Sequence, residues 1–248
     1  MKKEAIFPDT LPRPRVQYSP LVKAGPLVFI SGQVASDFEK GIPPAAKTND
    51  RFPHHGSNIE RQTDFIAKNL KTTLEAGGSS LENCLQMILY QTDVGEVHDA
   101  SKVMQQAFGQ AGVAPHTTVC IEELPVPGCT LEVDAIGFVP EKGEKIEVLN
   151  PSSLPCPVPT GLDDRPLFNY GTKAGPYIFT AGITATDFDQ SVAPEAWLDP
   201  NFIYYGESAR LQTEYIIDKL KIILKEGGAS MADVVKANVY LTNPHDFY

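Results

Sequence analysis

Residues Lys23–Phe38 read KAGPLVFISGQVASDF, and residues Lys173–Phe188 read KAGPYIFTAGITATDF. Nine of the sixteen positions are identical at an offset of 150 residues. The offset runs on without a gap. Gln62-Thr63 returns as Gln212-Thr213, Gly77-Gly78 as Gly227-Gly228, and Leu89-Tyr90 as Val239-Tyr240. Solenoid periods are about 20–50 residues, so a period this long marks a duplicated domain. The reading places one domain at 14–140, a linker rich in Pro, Ser and charge at 141–163, and a second domain at 164–248. The second copy reaches Tyr248, the counterpart of His98, so nothing in it matches residues 99–140. Either the chain is part of a longer one, or the second domain is completed in some other way. The repeat also changes chemistry within its shared strand: Ser31 becomes Ala181, and Tyr18 becomes Phe168.

The 248 residues suit two domains of ordinary size, and 42% hydrophobic residues suit packed cores and not disorder. The net charge is −10. Nucleic-acid binding draws on Lys and Arg neutralising phosphates, so no nucleic-acid partner is expected. Lys2 and Lys3 precede no apolar run of the signal-peptide kind. No stretch approaches the roughly 18 apolar residues of a membrane span, so no membrane partner is expected. Four cysteines form no C-x-x-C pair. Cys84 and Cys120 lie in apolar, strand-like runs and are expected as buried, inert thiols. A cytoplasmic protein with reduced thiols follows.

Along the first copy, residues 16–23 and 26–36 read as a hairpin turning at Gly25. Ser57 and Glu60 form a capping box at the start of a helix over 57–76, which carries Ile59, Ile66, Leu70 and Leu74 on one face. Gly77-Gly78 stops it. A strand follows at 84–92, a helix at 96–109, and strands at 117–123 and 130–139. The order ββαβαββ is an α+β layer with the helices on one face of a sheet. The helix is expected again at 207–226. His54-His55 suggests a metal pair, but the second copy has Tyr204-Tyr205 there, so the position asks for rings and no metal is expected. Trp197 is expected to pack in the loop before the second helix.

Three stretches then carry a resemblance: LVFISGQVASD (27–37), AGGSSLENCLQMILYQTDV (76–94) and PHTTVCIEELPVPGCTLEVDAIGF (115–138). Together they resemble the RidA family, also called YjgF or L-PSP, over 14–140 and again over 165–248. The resemblance implies a chorismate-mutase-like fold, a homo-oligomer with ligand clefts between subunits, and no cofactor. It also implies hydrolysis of small reactive enamines or imines to keto acids and ammonia. The site it implies has Glu132 and His116 as catalytic groups and Tyr18, Ser31, Gly32 and Thr118 as substrate-binding groups. The family's substrate-gripping arginine is here His116, in Ala114-Pro115-His116-Thr117-Thr118-Val119. Arginine is always charged and binds a carboxylate with two prongs. Histidine has a pKa near 6.5 and is largely neutral at pH 7. Glu132 is expected at the same cleft, where its charge would raise the His116 pKa and favour anions at lower pH. Two rival functions remain open. One is small-molecule binding without turnover; the other is RNA cleavage, against which the acidic charge weighs.

Overall fold

Ser57 does what its spacing from Glu60 predicts. In a computed structural model describing residues 2–49, 51–52, 54, 56–155, 168–189, 191–201 and 206–247, its hydroxyl accepts the Glu60 N–H, while the Glu60 carboxylate accepts the Ser57 N–H. Two otherwise orphaned helix donors are thereby satisfied. The helix α1 (Asn58–Ala76) buries Ile59, Ile66, Leu70 and Leu74 completely.

The described residues form two units, one within Met1–Val148 and Val158–Gly182, the other within Leu149–Pro157 and Ile183–Tyr248. In the first, β1 (Lys3–Ile6), β2 (Leu21–Ala24) and β3 (Leu27–Val34) precede α1. They are followed by β4 (Cys84–Gln91), α2 (Val97–Phe108), β5 (His116–Cys120) and β6 (Leu131–Phe138). From Leu21 onward the order is ββαβαββ. The sheet runs β1-β2-β3-β6-β4-β5. Only β4 and β5 are parallel, as a crossover through α2 allows. Val28, Ile30, Met87, Leu89, Val133 and Ala135 meet α1 and α2 in one core.

Three expectations need correction. Residues 16–20 are not strand. Pro14 and Pro20 bracket them without ladder donors, and the Tyr18 N–H instead closes a turn on Val16 O at 3.0 Å. The short edge strand β1 was not anticipated, because four residues are too few to show a period. Cys120 is exposed, as the last residue of edge strand β5, whereas Cys84 is buried and its thiol is pushed up to about 12.

A hairpin of β8 (Gly171–Ala174) and β9 (Tyr177–Thr180) joins β7 (Glu147–Leu149) in a three-stranded sheet. By the repeat offset this hairpin is the second copy's version of β2–β3, yet it packs within the first unit. Thr172 Oγ1 donates to Leu85 O at 2.7 Å, and Gln86 Nε2 donates to Thr180 O at 2.7 Å. Ala174, Tyr177 and Phe179 cover Leu27, Leu85, Ile136 and Phe138, on the sheet face away from the helices. The division of packing therefore does not follow a repeat boundary at 164. Of the linker read at 141–163, residues 156–163 lie outside the described residues.

In the second unit, α3 (Ser208–Glu226) forms where the repeat places it. Glu207 and Arg210 stand at the positions of Ser57 and Glu60, and no side chain caps this helix. Residues 234–240, offset from β4, form no strand. In the first unit β4 is held between β6 and β5 and never touches β3. Val235, within the 234–240 segment, is 100% exposed. Trp197 is 58% exposed and donates Nε1–H to Val192 O at 2.7 Å. Its ring does not fill a core as expected; Ala193 and Ala196 pack with Tyr215 and Ile216 instead. No helix among the described residues is long and apolar enough to cross a membrane.

The hairpin's buried hydroxyl gives a direct test. Thr172→Val leaves the Leu85 carbonyl without its donor, and should lower the unfolding free energy by about 1–2 kcal/mol at unchanged urea m-value. An unchanged urea midpoint would show that the hairpin is not anchored there.

Candidate functional site

The first unit gathers polar groups at a break in its ladder. Ile30 pairs with Ala135 and Gln33 with Val133, so Ser31 and Gly32 together oppose Asp134. This two-against-one register is a β-bulge, which bends a strand and re-aims its side chains. The Glu132 carboxylate lies over Gly32: a methyl there would collide with Glu132 Oε1 and come within 2.7 Å of its carboxyl carbon. Glycine is needed for that approach. Ser31 holds the preceding turn, its N–H donating to Pro20 O at 3.0 Å and its Oγ donating to Ser19 O at 2.7 Å. Tyr18, one residue before that turn, lies within reach of the Glu132 charge. Burial, and then Glu132, push its hydroxyl above the usual tyrosine range.

Tyr18, Ser31, Gly32 and Glu132 are therefore brought together. Burial raises the Glu132 pKa, and the nearby Asp134 raises it further. Burial also raises Asp134. Among the described residues neither carboxylate has a hydrogen bond or an ion pair. Asp134 was not among the residues singled out from the sequence. Its signal was the alternation in LEVDAI, which puts Asp134 on the same sheet face as Glu132.

His116 and Thr118 lie elsewhere. In register, His116 pairs with Met87 and Met87 with Ala135; Thr118 pairs with Leu89 and Leu89 with Val133. Paired residues share a face and successive residues alternate. His116 and Thr118 thus belong to the helix-side face, and Glu132 to the opposite one, two strands away. The His116 ring is 8% exposed, and its Nδ1 lies 3.1 Å from Ala114 O. Phe168 packs edge-on against it at 5.2 Å between centroids, with Tyr170 behind. The His116 carbonyl accepts the Gly182 N–H at 3.1 Å, and a methyl on Gly182 would meet Thr117 Oγ1 at 2.6 Å. Phe168 and Gly182 are the repeat counterparts of Tyr18 and Gly32. The second copy thus applies its own Phe168 turn and Gly182 to the start of β5. Ala181 keeps the backbone bond of Ser31, to Tyr170 O at 2.9 Å, without the hydroxyl.

The expected rise of the His116 pKa is reversed. Burial lowers it, and the Ala114 carbonyl only partly opposes this. Glu132 faces the other way and cannot compensate the imidazolium. Among the described residues no three His, Cys, Asp or Glu side chains converge as metal ligands would. His55, Tyr204 and Tyr205 lie outside the described residues.

The sign of the His116 shift sets a pH test. A folded pKa below the unfolded value of about 6.5 contributes stability that is present above that value and lost as pH falls through the folded pKa. Urea unfolding should show a smaller loss between pH 7.5 and 5.5 for His116→Leu than for the unsubstituted chain. Equal losses in the two proteins would contradict the burial of a neutral ring.

Residues 9–139 match the family model described as Endoribonuclease L-PSP, just over half of the chain. Over 136 residues the chain is 31% identical to a RutC family protein of Pyrococcus horikoshii, covering 55% of this chain and 98% of that protein. Over 123 residues it is 33% identical to a RutC family protein of Saccharolobus solfataricus, covering 50% and 88% respectively. Among solved structures, RidA from the Antarctic bacterium Psychrobacter aligns at 25% identity and a TM-score of 0.45, over 54% of this chain and 98% of its own. With the α+β order, the bulge at Ser31-Gly32 and the Leu-Glu-Val-Asp-Ala strand all in the matched span, the chain belongs to the L-PSP family, known also as RidA or YjgF.

Proposed function

We propose that the first unit hydrolyses a small enamine or imine to a carbonyl compound and ammonia, with Glu132 moving the protons. The observation that carries this reading is the Glu132 carboxylate itself, half-buried, unpaired among the described residues and lying over Gly32 beside Tyr18. A carboxylate whose pKa is raised towards working pH is suited to general acid–base work. An enamine first takes a proton on carbon and becomes an iminium. Water then adds to the C=N carbon, Glu132 accepts the water proton, and the C=N electron pair moves to nitrogen. That proton passes to the nitrogen, the freed Glu132 carboxylate takes the proton of the new hydroxyl, the C–N bond breaks, and ammonia leaves as the C=O forms. Tyr18, held protonated by its raised pKa, donates a hydrogen bond to the reacting oxygen or nitrogen. Ser31 positions the turn that carries Tyr18. His116 and Thr118 take no part in this proton path.

A second reading, binding without turnover, is favoured by the substitution at His116. The family's arginine position is filled here by a buried ring packed on Phe168. RNA cleavage, the activity in the family model's description, has no comparable support, since a net charge of −10 repels phosphates. The cleft-forming association of family subunits extends to a further proposal, that chains associate through the sheet face bearing Phe29, which is exposed.

Ammonia release from 2-iminopropanoate generated in situ separates the first two readings. Glu132→Gln should lower kcat by about 10²–10⁴-fold, the usual worth of a positioned acid or base. His116→Leu should cost no more than a few-fold. The kcat/KM profile should rise with pH on an acid limb above 4.5, the ordinary glutamate value, because burial raises this carboxyl. Undiminished turnover in Glu132→Gln would overturn the assignment, and no release by the unsubstituted chain would favour binding alone.

A further inference from the structure

The second unit departs from the repeat in the loop ahead of α3. The first copy reads GIPPAAKTND over 41–50, and the second reads SVAPEAWLDP over 191–200. Trp197 therefore stands at the position of Lys47, Leu198 at Thr48 and Pro200 at Asp50. Val192, Pro194, Trp197, Leu198, Asp199 and Pro200 line an open groove of ≈ 400 Å³, within the roughly 300–1,000 Å³ of ligand sites. The Trp197 Nε1–H bond to Val192 O holds the indole along this wall. Ser191 sits at φ 84°, where the first copy has Gly41 at φ 91°. A side chain at that angle is strained, and such strain collects at binding loops.

The loop has also changed its charge. Between Ile183 and Ala209 stand Asp187, Asp189, Glu195, Asp199 and Glu207, with no Lys or Arg. Over the first copy's counterpart, 33–59, Asp37, Glu39 and Asp50 are balanced by Lys40, Lys47 and Arg51. Glu195 and Asp199 are exposed, and among the described residues neither has an ion-pair partner. A wall of tryptophan and proline with an acidic rim suits an extended apolar segment that carries cations. An indole face attracts a guanidinium as well.

The chain carries such a segment. Leu11–Val16 reads LPRPRV, and no Asp or Glu lies between Thr10 and Lys23. Pro12 and Pro14 fix their own φ and bias Leu11 and Arg13 towards extended backbone. A segment set in advance near the polyproline conformation loses little entropy on docking to an aromatic groove. Arg13, Arg15 and Val16 are exposed. We propose that the Trp197 groove docks residues 11–16 of a second copy of this chain, with the indole against the prolines and the carboxylates of Glu195 and Asp199 meeting the two arginines. The proposal is independent of the reading at Glu132.

Trp197 is the chain's single tryptophan, so its fluorescence reports on the groove. As the full chain is diluted, its emission should move to longer wavelength while the ring returns to water. Association through the Phe29 face leaves this ring exposed and does not produce the shift. Replacing Arg13 and Arg15 together by Ala, or Glu195 and Asp199 together by Gln and Asn, should raise the midpoint concentration about tenfold. Added salt should raise it in the unsubstituted chain. The synthetic peptide TLPRPRVQ, residues 10–17, should restore the shorter wavelength in dilute protein, and its double-alanine version should bind about tenfold more weakly. Four results would overturn the proposal: emission independent of protein concentration, an unchanged midpoint in either double variant, no response to the peptide, or equal binding of the two peptides.

Discussion

The first unit depends on one strand. β6 lies between β3 and β4, so the hairpin side of the sheet and the parallel β4–β5 pair are joined only through its hydrogen bonds. Its alternation does two jobs at once. Leu131, Val133 and Ala135 face the helices and belong to their core. Ile136 and Phe138 face the β8–β9 hairpin, and Glu132 and Asp134 share that second face.

The same alternation separates the residues that the family resemblance grouped. Glu132 and His116 lie on one chain, yet on opposite faces of the sheet. Around Glu132 the bulge, Gly32 and the turn held by Ser31 leave a carboxylate with no partner among the described residues. Around His116 the second copy supplies Phe168 and Gly182 and closes the surroundings. An unpaired, half-buried carboxylate is costly to keep ionised, whereas a buried neutral imidazole with a carbonyl partner is comfortable. The opposite directions of their pKa shifts both follow from burial acting on the charged form.

The duplication takes on a physical meaning in this setting. The shared stretch KAG-P forms the same tight turn in both copies, with Gly25 and Gly175 at φ 60° and 55°. The left-handed region at positive φ is closed to most side chains, so glycine recurs there. Beyond the turn the copies diverge. β3 runs eight residues and carries the bulge; β9 runs four and ends where Ala181 replaces Ser31. The second hairpin serves as packing for the first sheet, and hydroxyls at the positions of Tyr18 and Ser31 were not needed for that.

By itself the sequence determined the elements whose causes are local. Ser57 with Glu60 marked the start of α1, the glycine pair its end, and the spacing of Ile59, Ile66, Leu70 and Leu74 its buried face. The ββαβαββ order followed, as did the grouping of Ser31 and Gly32 with Glu132 through the family motifs. Only the tertiary structure decided which face each strand residue takes. That face depends on register between residues as distant as Ile30 and Ala135, and a shift of one residue would exchange the faces. It placed His116 away from Glu132 and brought Phe168 onto the first copy. No local pattern encodes those contacts, because each arises where segments far apart in the chain meet.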